Sequence, residues 1–502
     1  MFRSVLVANR GEIAVRIIRT LREMGIRSVA VYSEADRQSL HVATADEAVC
    51  IGKAPPADSY LSIDSIVAAA RQCGAEAVHP GYGFLSENPR FARAVAGAGL
   101  AFIGPPADVM ERLGDKTAAR RLMHERGVPI IPGMTRPSDD PELLAAFADE
   151  IGYPVLVKAS MGGGGKGMRV VGCARELREA AALASGEAQA AFGDGAIYLE
   201  KYLDRPRHIE IQVLADALGN TVHLFERECS IQRRHQKVIE ETPSTALDAG
   251  LRDRMGRAAV TAAKAAGYVN AGTVEFLLAR DGSFHFLEVN TRLQVEHPIT
   301  EMTTGLDLVR LQVEIAAGAT LPFRQEDVST RGHAIECRLY AEDPGAGFLP
   351  SPGRVALARM PEGPGVRLDS GITTGSDVPI HYDPILAKLI VHASDRSAAI
   401  ARMLRALEEC VILGVRTPVD YLMDVLRLAP FAAGDTHTQF LEEHMADWRP
   451  APPNLALAAA GYVLERRAMQ AGGVVGTGGG AEGLDANSPW RRLGAWDLGG
   501  RS

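Results

Sequence analysis

Two glutamates in the stretch GTVEFLLARDGSFHFLEVN, residues 272–290, stand at a spacing that asks for a cation. If Asp281-Gly282 forms the two-residue turn this dipeptide favours, counting outward sets Glu275 directly opposite Glu288 on one hairpin face. Carboxylates paired in this way, with Cβ atoms roughly 4.5–5.5 Å apart, repel each other. A divalent ion removes the repulsion, and Asn290, two residues past Glu288 on the same face, adds a third oxygen donor suited to Mg²⁺ or Mn²⁺. A solvated strand face with splayed carboxylates is the competing reading. The next residues, TRLQVEHP, keep polar side chains at Arg292, Gln294 and Glu296 while Leu293 and Val295 alternate with them, as an exposed edge strand would. Beside a metal pair, Arg292 offers a fork for a small oxyanion and Glu296 a proton acceptor.

Two further stretches suit phosphate chemistry. In YPVLVKASMGGGGKGMRVV, residues 153–171, Lys158 lies on a predicted strand and the loop 162–167 returns into another strand. The P-loop order, glycine loop followed by a helix, is therefore absent. A mobile glycine loop between strands still covers phosphates with its N–H groups, with Lys158 or Lys166 supplying charge; a plain surface turn is the alternative. In SIQRRHQKVIEE, residues 230–241, Arg233, Arg234, His235 and Lys237 crowd into five positions and gather positive potential, unless they form only a solvated basic loop.

The elements that must carry these residues fall into different patterns along the chain. Residues 4–8, 28–32, 47–51, 76–79 and 100–103 read as strands and alternate with helical periodicity at 12–24, 60–73 and 88–98, which predicts a doubly wound parallel sheet. Glu34 and Asp36 follow the second strand, as a ribose-binding acid would, but the first turn is Asn9-Arg10-Gly11-Glu12 rather than GxGxxG. A helix is predicted at 107–126, and the Pro/Ser/Asp-rich stretch 132–141 marks a boundary. Strands at 155–159, 168–172, 198–202, 208–215, 221–227, 272–278 and 284–290, with helices at 175–190 and 250–266, then predict an antiparallel α+β region. A mixed region spans 330–446, and the Pro-, Ala- and Gly-rich remainder reads as a tail dispensable for catalysis.

The 502 residues are too many for one small core, and 54 Lys+Arg against 62 Asp+Glu give a net charge of -8, which argues against a general grip on nucleic acid or an anionic membrane. The six cysteines form no CxxC or Cys/His cluster, so reduced thiols, and no zinc site or disulfide framework, are expected. With no signal-peptide core and no apolar run of spanning length, a cytoplasmic enzyme is expected.

Taken in order, ANRGEIAVRIIR, HPGYGFLSENP, GDK at 114–116, GGGGKGMR, EKYL, PRHIEIQV, QRRHQK, EVNTRLQVEHPITE and GHAIECR resemble the biotin carboxylase family of ATP-grasp enzymes over roughly residues 2–446. The resemblance implies an α/β and α+β fold: a Rossmann-like N-terminal domain (1–114), an ATP-grasp domain (115–330) with a glycine-rich lid at about 131–203, a C-terminal domain (331–446) and a tail or linker (447–502). By position it implies ATP contacts at Lys116, Lys158, Gly163, Gly164, Gly165, Lys166, Glu200, Lys201, Leu203, His208, Gln232 and His235, with Glu200, Lys201 and Leu203 at the adenine edge. It implies two Mg²⁺ or Mn²⁺ ions on Glu275, Glu288 and Asn290. Bicarbonate is implied at Lys237, Arg292, Gln294 and Val295, with Glu296 as base and Arg338 facing deprotonated biotin; Lys237, Arg292, Glu296 and Arg338 are thus the catalytic set.

The implied reaction activates bicarbonate with ATP through carboxyphosphate and carboxylates biotin on a carrier, the first half-reaction of an acetyl-CoA or acyl-CoA carboxylase. A biotin carboxyl carrier protein or domain, a carboxyltransferase subunit and a homodimer follow as expected partners, with no nucleic acid and no membrane. No Met-Lys-Met biotin-attachment triplet occurs in the sequence, so the carrier is expected on another chain or on a missing segment. HYDPILAKL at 381–389 and SPW at 488–490 resemble the methylcrotonyl-CoA type of carboxylase alpha subunit more than a short free-standing enzyme. The rivals are another ATP-grasp ligase, forming carbamoyl phosphate or joining amino acids, and a nucleotide-binding module without turnover.

Overall fold

The structure, a computed structural model, describes residues 1–134, 137–159, 169–192, 195–234, 236–451 and 459–464. Residues Met1–Arg449 form one compact unit, and Pro450–Ser502 a second. Most of the predicted tail, together with Gly163, Gly164, Gly165, Lys166 and His235, lies outside the described residues.

The N-terminal strands β1 (Ser4–Val7), β2 (Arg27–Ser33), β3 (Glu47–Gly52), β4 (Ala77–His79) and β5 (Ala101–Phe102) form a parallel sheet in the order β3-β2-β1-β4-β5. Every residue of β1 is buried, as expected of a central parallel strand covered on both faces. The first turn is built for the protein itself rather than for a dinucleotide. Asn9 Nδ2 donates to the carbonyls of Pro80 (2.8 Å) and Tyr82 (2.7 Å), fixing the HPGYG loop. Gly81, at φ +63°, leaves room for that amide, since a Cβ there would lie 2.8 Å from Asn9 Nδ2. Asp36, the tempting ribose ligand, is instead taken up by Arg10 (2.6 and 2.7 Å) and the Tyr60 hydroxyl (2.6 Å).

The helix predicted at 107–126 is two helices, Ala107–Gly114 and Lys116–Glu125. Asp115 between them has extended ψ, and its carboxylate accepts from Ala118 N at 3.0 Å, the cap that starts the second helix. Strands β6 (Val155–Ala159), β7 (Arg169–Val171) and β8 (Ile197–Lys201) make a small antiparallel sheet in the order β7-β6-β8. With helices Pro141–Ile151 and Ala174–Phe192 it has a hydrophobic cluster of its own, including Leu144, Val155, Val157, Leu177 and Leu199.

Apart from short strands of two or three residues that pair off separately, the remaining strands are β9 (Arg207–Ala215), β10 (Thr221–Arg233), β11 (Gln236–Thr242), β12 (Asn270–Leu278), β13 (Phe284–Asn290), β14 (His333–Tyr340), β15 (Val366–Ser370) and β16 (Ile385–Ala393). They join in one eight-stranded antiparallel sheet, ordered β13-β12-β9-β10-β11-β14-β16-β15. The sequence reading stopped β10 at residue 227 and missed β11, so it also missed that β11 pairs with β14 and carries the sheet into the last region. Trp448 closes the unit: Nε1 donates to Asp424 (2.8 Å) and the ring meets Tyr421 edge-on at 5.2 Å.

Candidate active site

The hairpin β12–β13 pairs Glu275 with Glu288, by a route that differs from the simple count. The loop holds three residues, not two: Ala279 N bonds Ser283 O (2.8 Å), and Gly282, at φ +80°, closes the turn. That alone shifts the register by one. A bulge between Glu275 and Phe276 shifts it back, so the two carboxylates face each other after all.

The pair belongs to a longer rung. Glu275 is also the register partner of Glu210 on β9, and Glu210 that of Arg227 on β10. Three carboxylates thus stand side by side across β13, β12 and β9, ending on an arginine. Arg227 is fully buried and donates to Glu210, Gln212 (2.7 Å), Thr300 (3.0 Å) and Thr273 (3.0 Å). Removing one member of a buried, fully engaged ion pair typically costs about 3–5 kcal/mol. Arg227→Leu is therefore expected to lower the unfolding free energy by about 3 kcal/mol in urea titration. A loss below about 1 kcal/mol would mean that the rung does not rely on this cation.

Lys237, from β11, is the second cation. Its Nζ lies 2.5 Å from Glu210, 3.0 Å from Glu275 and 2.6 Å from Glu296. Burial disfavours its charge, but the anions around it raise its pKa well above the usual lysine value. Glu275 also meets His208 Nε2 at 3.1 Å. Burial pushes its carboxyl toward the neutral acid, and Lys237 and His208 outweigh that and hold it well below the usual range. Ionised Glu275, Glu288 opposite it and Asn290 one rung on, with Oδ1 3.4 Å from Arg292, supply oxygen donors suited to hard divalent ions. The residues fit the metal pair.

Beyond Asn290 the structure corrects the sequence reading. Residues 291–296 are not an edge strand but an irregular turn leading into helix His297–Thr304. Thr291 N bonds the Glu87 carboxylate (2.9 Å) instead of a ladder partner, and Pro298 sits where a helix begins. Arg292 Nε also donates to Glu87 (2.9 Å). Gln294 Nε2 is buried and makes no hydrogen bond among the described residues, an unspent donor that an anion would satisfy.

Glu296 is completely buried at the meeting point of two cations. Oε1 takes Lys237, and Oε2 accepts from Arg338 at 3.1 Å. Burial favours its neutral form, yet Lys237, Arg338 and Arg227 hold it well below the usual carboxyl range. Arg338 Nε also donates to Glu240 at 2.5 Å, whose own carboxyl burial pushes up to about 7.

The nucleotide candidates lie along the lid and its return. Lys158 on β6 pairs with Glu200 on β8, which also takes Arg120. Lys201 Nζ donates to the carbonyls of Gly152 (2.8 Å) and Tyr153 (3.0 Å), and Leu203 is half-buried just past β8. Gln232 is the register partner of Lys237, and Lys116 opens its helix. The basic stretch is no solvated loop at these positions: Arg233 is held by Glu342 (3.0 Å) and Lys237 by the cluster. Sequence reasoning missed Glu210, Arg227, Glu240 and Glu87. For the first, the alternation His208, Glu210, Gln212 in a strand-like stretch was the available signal.

Comparison with known proteins agrees with this architecture. Residues 1–110 match the family model for the biotin carboxylase N-terminal domain, 115–324 that for the carbamoyl-phosphate synthase L chain ATP-binding domain, and 336–443 that for the biotin carboxylase C-terminal domain. A biotin carboxylase of Nostoc is 51% identical over 442 residues, 88% of this chain and 99% of that protein. The mitochondrial methylcrotonoyl-CoA carboxylase subunit alpha of Rattus norvegicus is 48% identical over 471 residues, 93% of this chain but 66% of the longer relative. The biotin carboxylase domain dimer of Hydrogenobacter thermophilus 2-oxoglutarate carboxylase, solved with MgADP, ADP and bicarbonate, superposes with TM-score 0.83 at 47% identity, covering 90% of this chain and 100% of that one. The chain belongs to the biotin carboxylase family of ATP-grasp ligases, which use ATP, Mg²⁺ and bicarbonate to form the C–N bond of carboxybiotin.

Proposed function

We propose that the cluster around Glu296 is where this biotin carboxylase activates bicarbonate and passes the carboxyl group to biotin. The observation that carries the reading is the sharing of one carboxylate between Lys237 (2.6 Å) and Arg338 (3.1 Å), a lysine on the bicarbonate side and an arginine on the biotin side. Bicarbonate is held by Lys237, the Arg292 fork, Gln294 Nε2 and the backbone of Val295. Its charge then competes with Glu296 for Lys237, so the carboxylate regains proton affinity as substrate arrives. Glu296 takes the bicarbonate proton while a bicarbonate oxygen attacks the γ-phosphorus and ADP leaves. The product, carboxyphosphate, breaks its C–O bond to release CO₂ and phosphate, the phosphate removes the ureido N–H proton of biotin, and that nitrogen forms the new bond to CO₂. Arg338 faces the negative oxygen that develops on the ureido ring.

Divalent ions on Glu275, Glu288 and Asn290 supply charge neutralisation for phosphoryl transfer. Lys116, Lys158 and His208 position the phosphates, and Glu200, Lys201 and Leu203 the adenine. In the free protein the Lys158 ammonium rests on Glu200, so it must exchange that partner for phosphate. The small sheet β7-β6-β8 acts as the lid, because an element with its own core can pivot without opening its neighbours. We assign the segments 1–114, 115–330, 331–446 and 447–502 as above, with the second and third sharing one sheet.

Among the described residues no helix is long and apolar enough to cross a membrane. A carrier bearing biotin, a carboxyltransferase, a second copy of this chain and the cytoplasm complete the proposed setting; relatives named as a domain dimer and as the subunit of a larger carboxylase support the protein partners. Those relatives act on different acceptors, methylcrotonoyl-CoA and 2-oxoglutarate, so the acceptor belongs to the partner rather than to this chain.

Arg338→Ala separates the half-reactions. Glu296 loses one of two cations and becomes the stronger base, so bicarbonate-dependent ATP cleavage should stay within about tenfold of wild type, while carboxylation of free biotin falls about 100-fold or more. Equal losses in the two assays would place Arg338 in the shared phosphate machinery.

A further inference from the structure

Lys388 is a single charge in the apolar strand ILAKLIVHA, and its side chain is completely buried. On β16 it is the register partner of Arg338 on β14 and of Asp369 on β15, so Arg338, Lys388 and Asp369 form one rung. The two neighbouring cations of that rung grip two consecutive residues. Arg338 holds the Glu296 carboxylate, and Lys388 Nζ donates to the Val295 carbonyl at 2.8 Å. The ammonium lies 3.3 Å from Glu12, at the start of helix Gly11–Glu23, and 3.8 Å from Asp369, while Arg367 also serves Asp369 at 2.9 Å. A buried ammonium is costly unless it is paired and hydrogen-bonded, and a spare lysine for Asp369 alone would be redundant with Arg367.

We infer that Lys388 is a positioning residue for the bicarbonate pocket: it anchors the Val295 carbonyl, and so sets where the Val295 backbone and the Glu296 side chain present themselves to the anion. The inference rests on the proposed assignment of Val295 and Glu296 to that pocket. The turn belongs to no ladder: Glu87 holds its start through Thr291 N and Arg292 Nε (both 2.9 Å), His297 Nδ1 meets Gln294 O at 2.8 Å, and the bond from Lys388 is the one that fixes the Val295 carbonyl itself. Losing the anchor should therefore loosen the pocket for bicarbonate while leaving the nucleotide side, built from the lid and β9, untouched.

The test is steady-state kinetics on Lys388→Met. KM for bicarbonate should rise about tenfold or more with KM for ATP changed less than about twofold, and Lys388→Arg, which keeps charge and donor, should recover much of the loss. Should Lys388→Met fail to fold because Glu12 is left unpaired, Glu12→Gln/Lys388→Met removes both charges and is measured in its place. An unchanged bicarbonate KM, equal rises for both substrates, or failure of both variants to fold would each overturn the assignment and leave Lys388 a purely structural residue. Arg292→Ala serves as the control on the underlying reading. If it raises the bicarbonate KM and Lys388→Met does not, this inference alone fails; if neither does, the pocket itself has been misplaced.

Discussion

Glu296→Gln is expected to lower bicarbonate-dependent ATP cleavage by about 10²–10⁴-fold with little change in KM for ATP, the usual range for losing a positioned general base. The amide keeps the shape and one acceptor but cannot take the proton. The fold should survive, because each cation on Glu296 has a second partner: Lys237 keeps Glu210 and Glu275, and Arg338 keeps Glu240. Unchanged turnover in a folded variant would assign the proton transfer to another group. The carboxylate is well suited to the task because it combines complete burial with two cations, which keep it ionised in the resting protein, and one of those cations is the one the substrate anion draws away.

Glu288→Gln should have the second largest effect, and in two opposite directions. It removes one charge from the run Glu288, Glu275, Glu210, so turnover with MgATP should fall by about 10³-fold, the several kcal/mol of charge stabilisation that a metal contributes to phosphoryl transfer. The same change relieves like-charge repulsion between cross-strand neighbours, so without divalent ions the variant should melt no lower than the wild type. Thermal denaturation in EDTA, paired with an Mg²⁺ titration of activity, reads both. A variant that turns over normally, or that is markedly less stable without metal, would show that the carboxylates of the rung are structural rather than ion-binding.

The hairpin that carries these residues was legible because its chemistry is local: an Asp-Gly turn, alternating side chains and two glutamates at matched distances. Even there, the correct pairing emerged from two deviations that cancel, a three-residue loop and a bulge. The parallel sheet was legible from its apolar runs. Glu210 and Lys388 were not recoverable in the same way, because their roles depend on which strands become neighbours across long sequence separations. Glu275 stands 65 residues past its partner Glu210 and Lys388 stands 50 past Arg338, and no periodicity encodes the strand order β12-β9-β10-β11-β14-β16 that makes them neighbours. The polar alternation after Asn290 misled for a related reason: hydrogen bonds from Thr291 to Glu87, far away in sequence, displaced the ladder that an edge strand would need.

In this cluster a bicarbonate oxygen should become bonded to the γ-phosphorus of ATP before carbon reaches biotin. Turnover of ¹⁸O-labelled bicarbonate with MgATP and free biotin, followed by mass analysis of the inorganic phosphate, tests it most directly. One labelled oxygen is expected in each phosphate released, with ADP formation dependent on bicarbonate. Unlabelled phosphate accompanying carboxybiotin would contradict it, since the γ-phosphoryl would then have gone to water and not to bicarbonate.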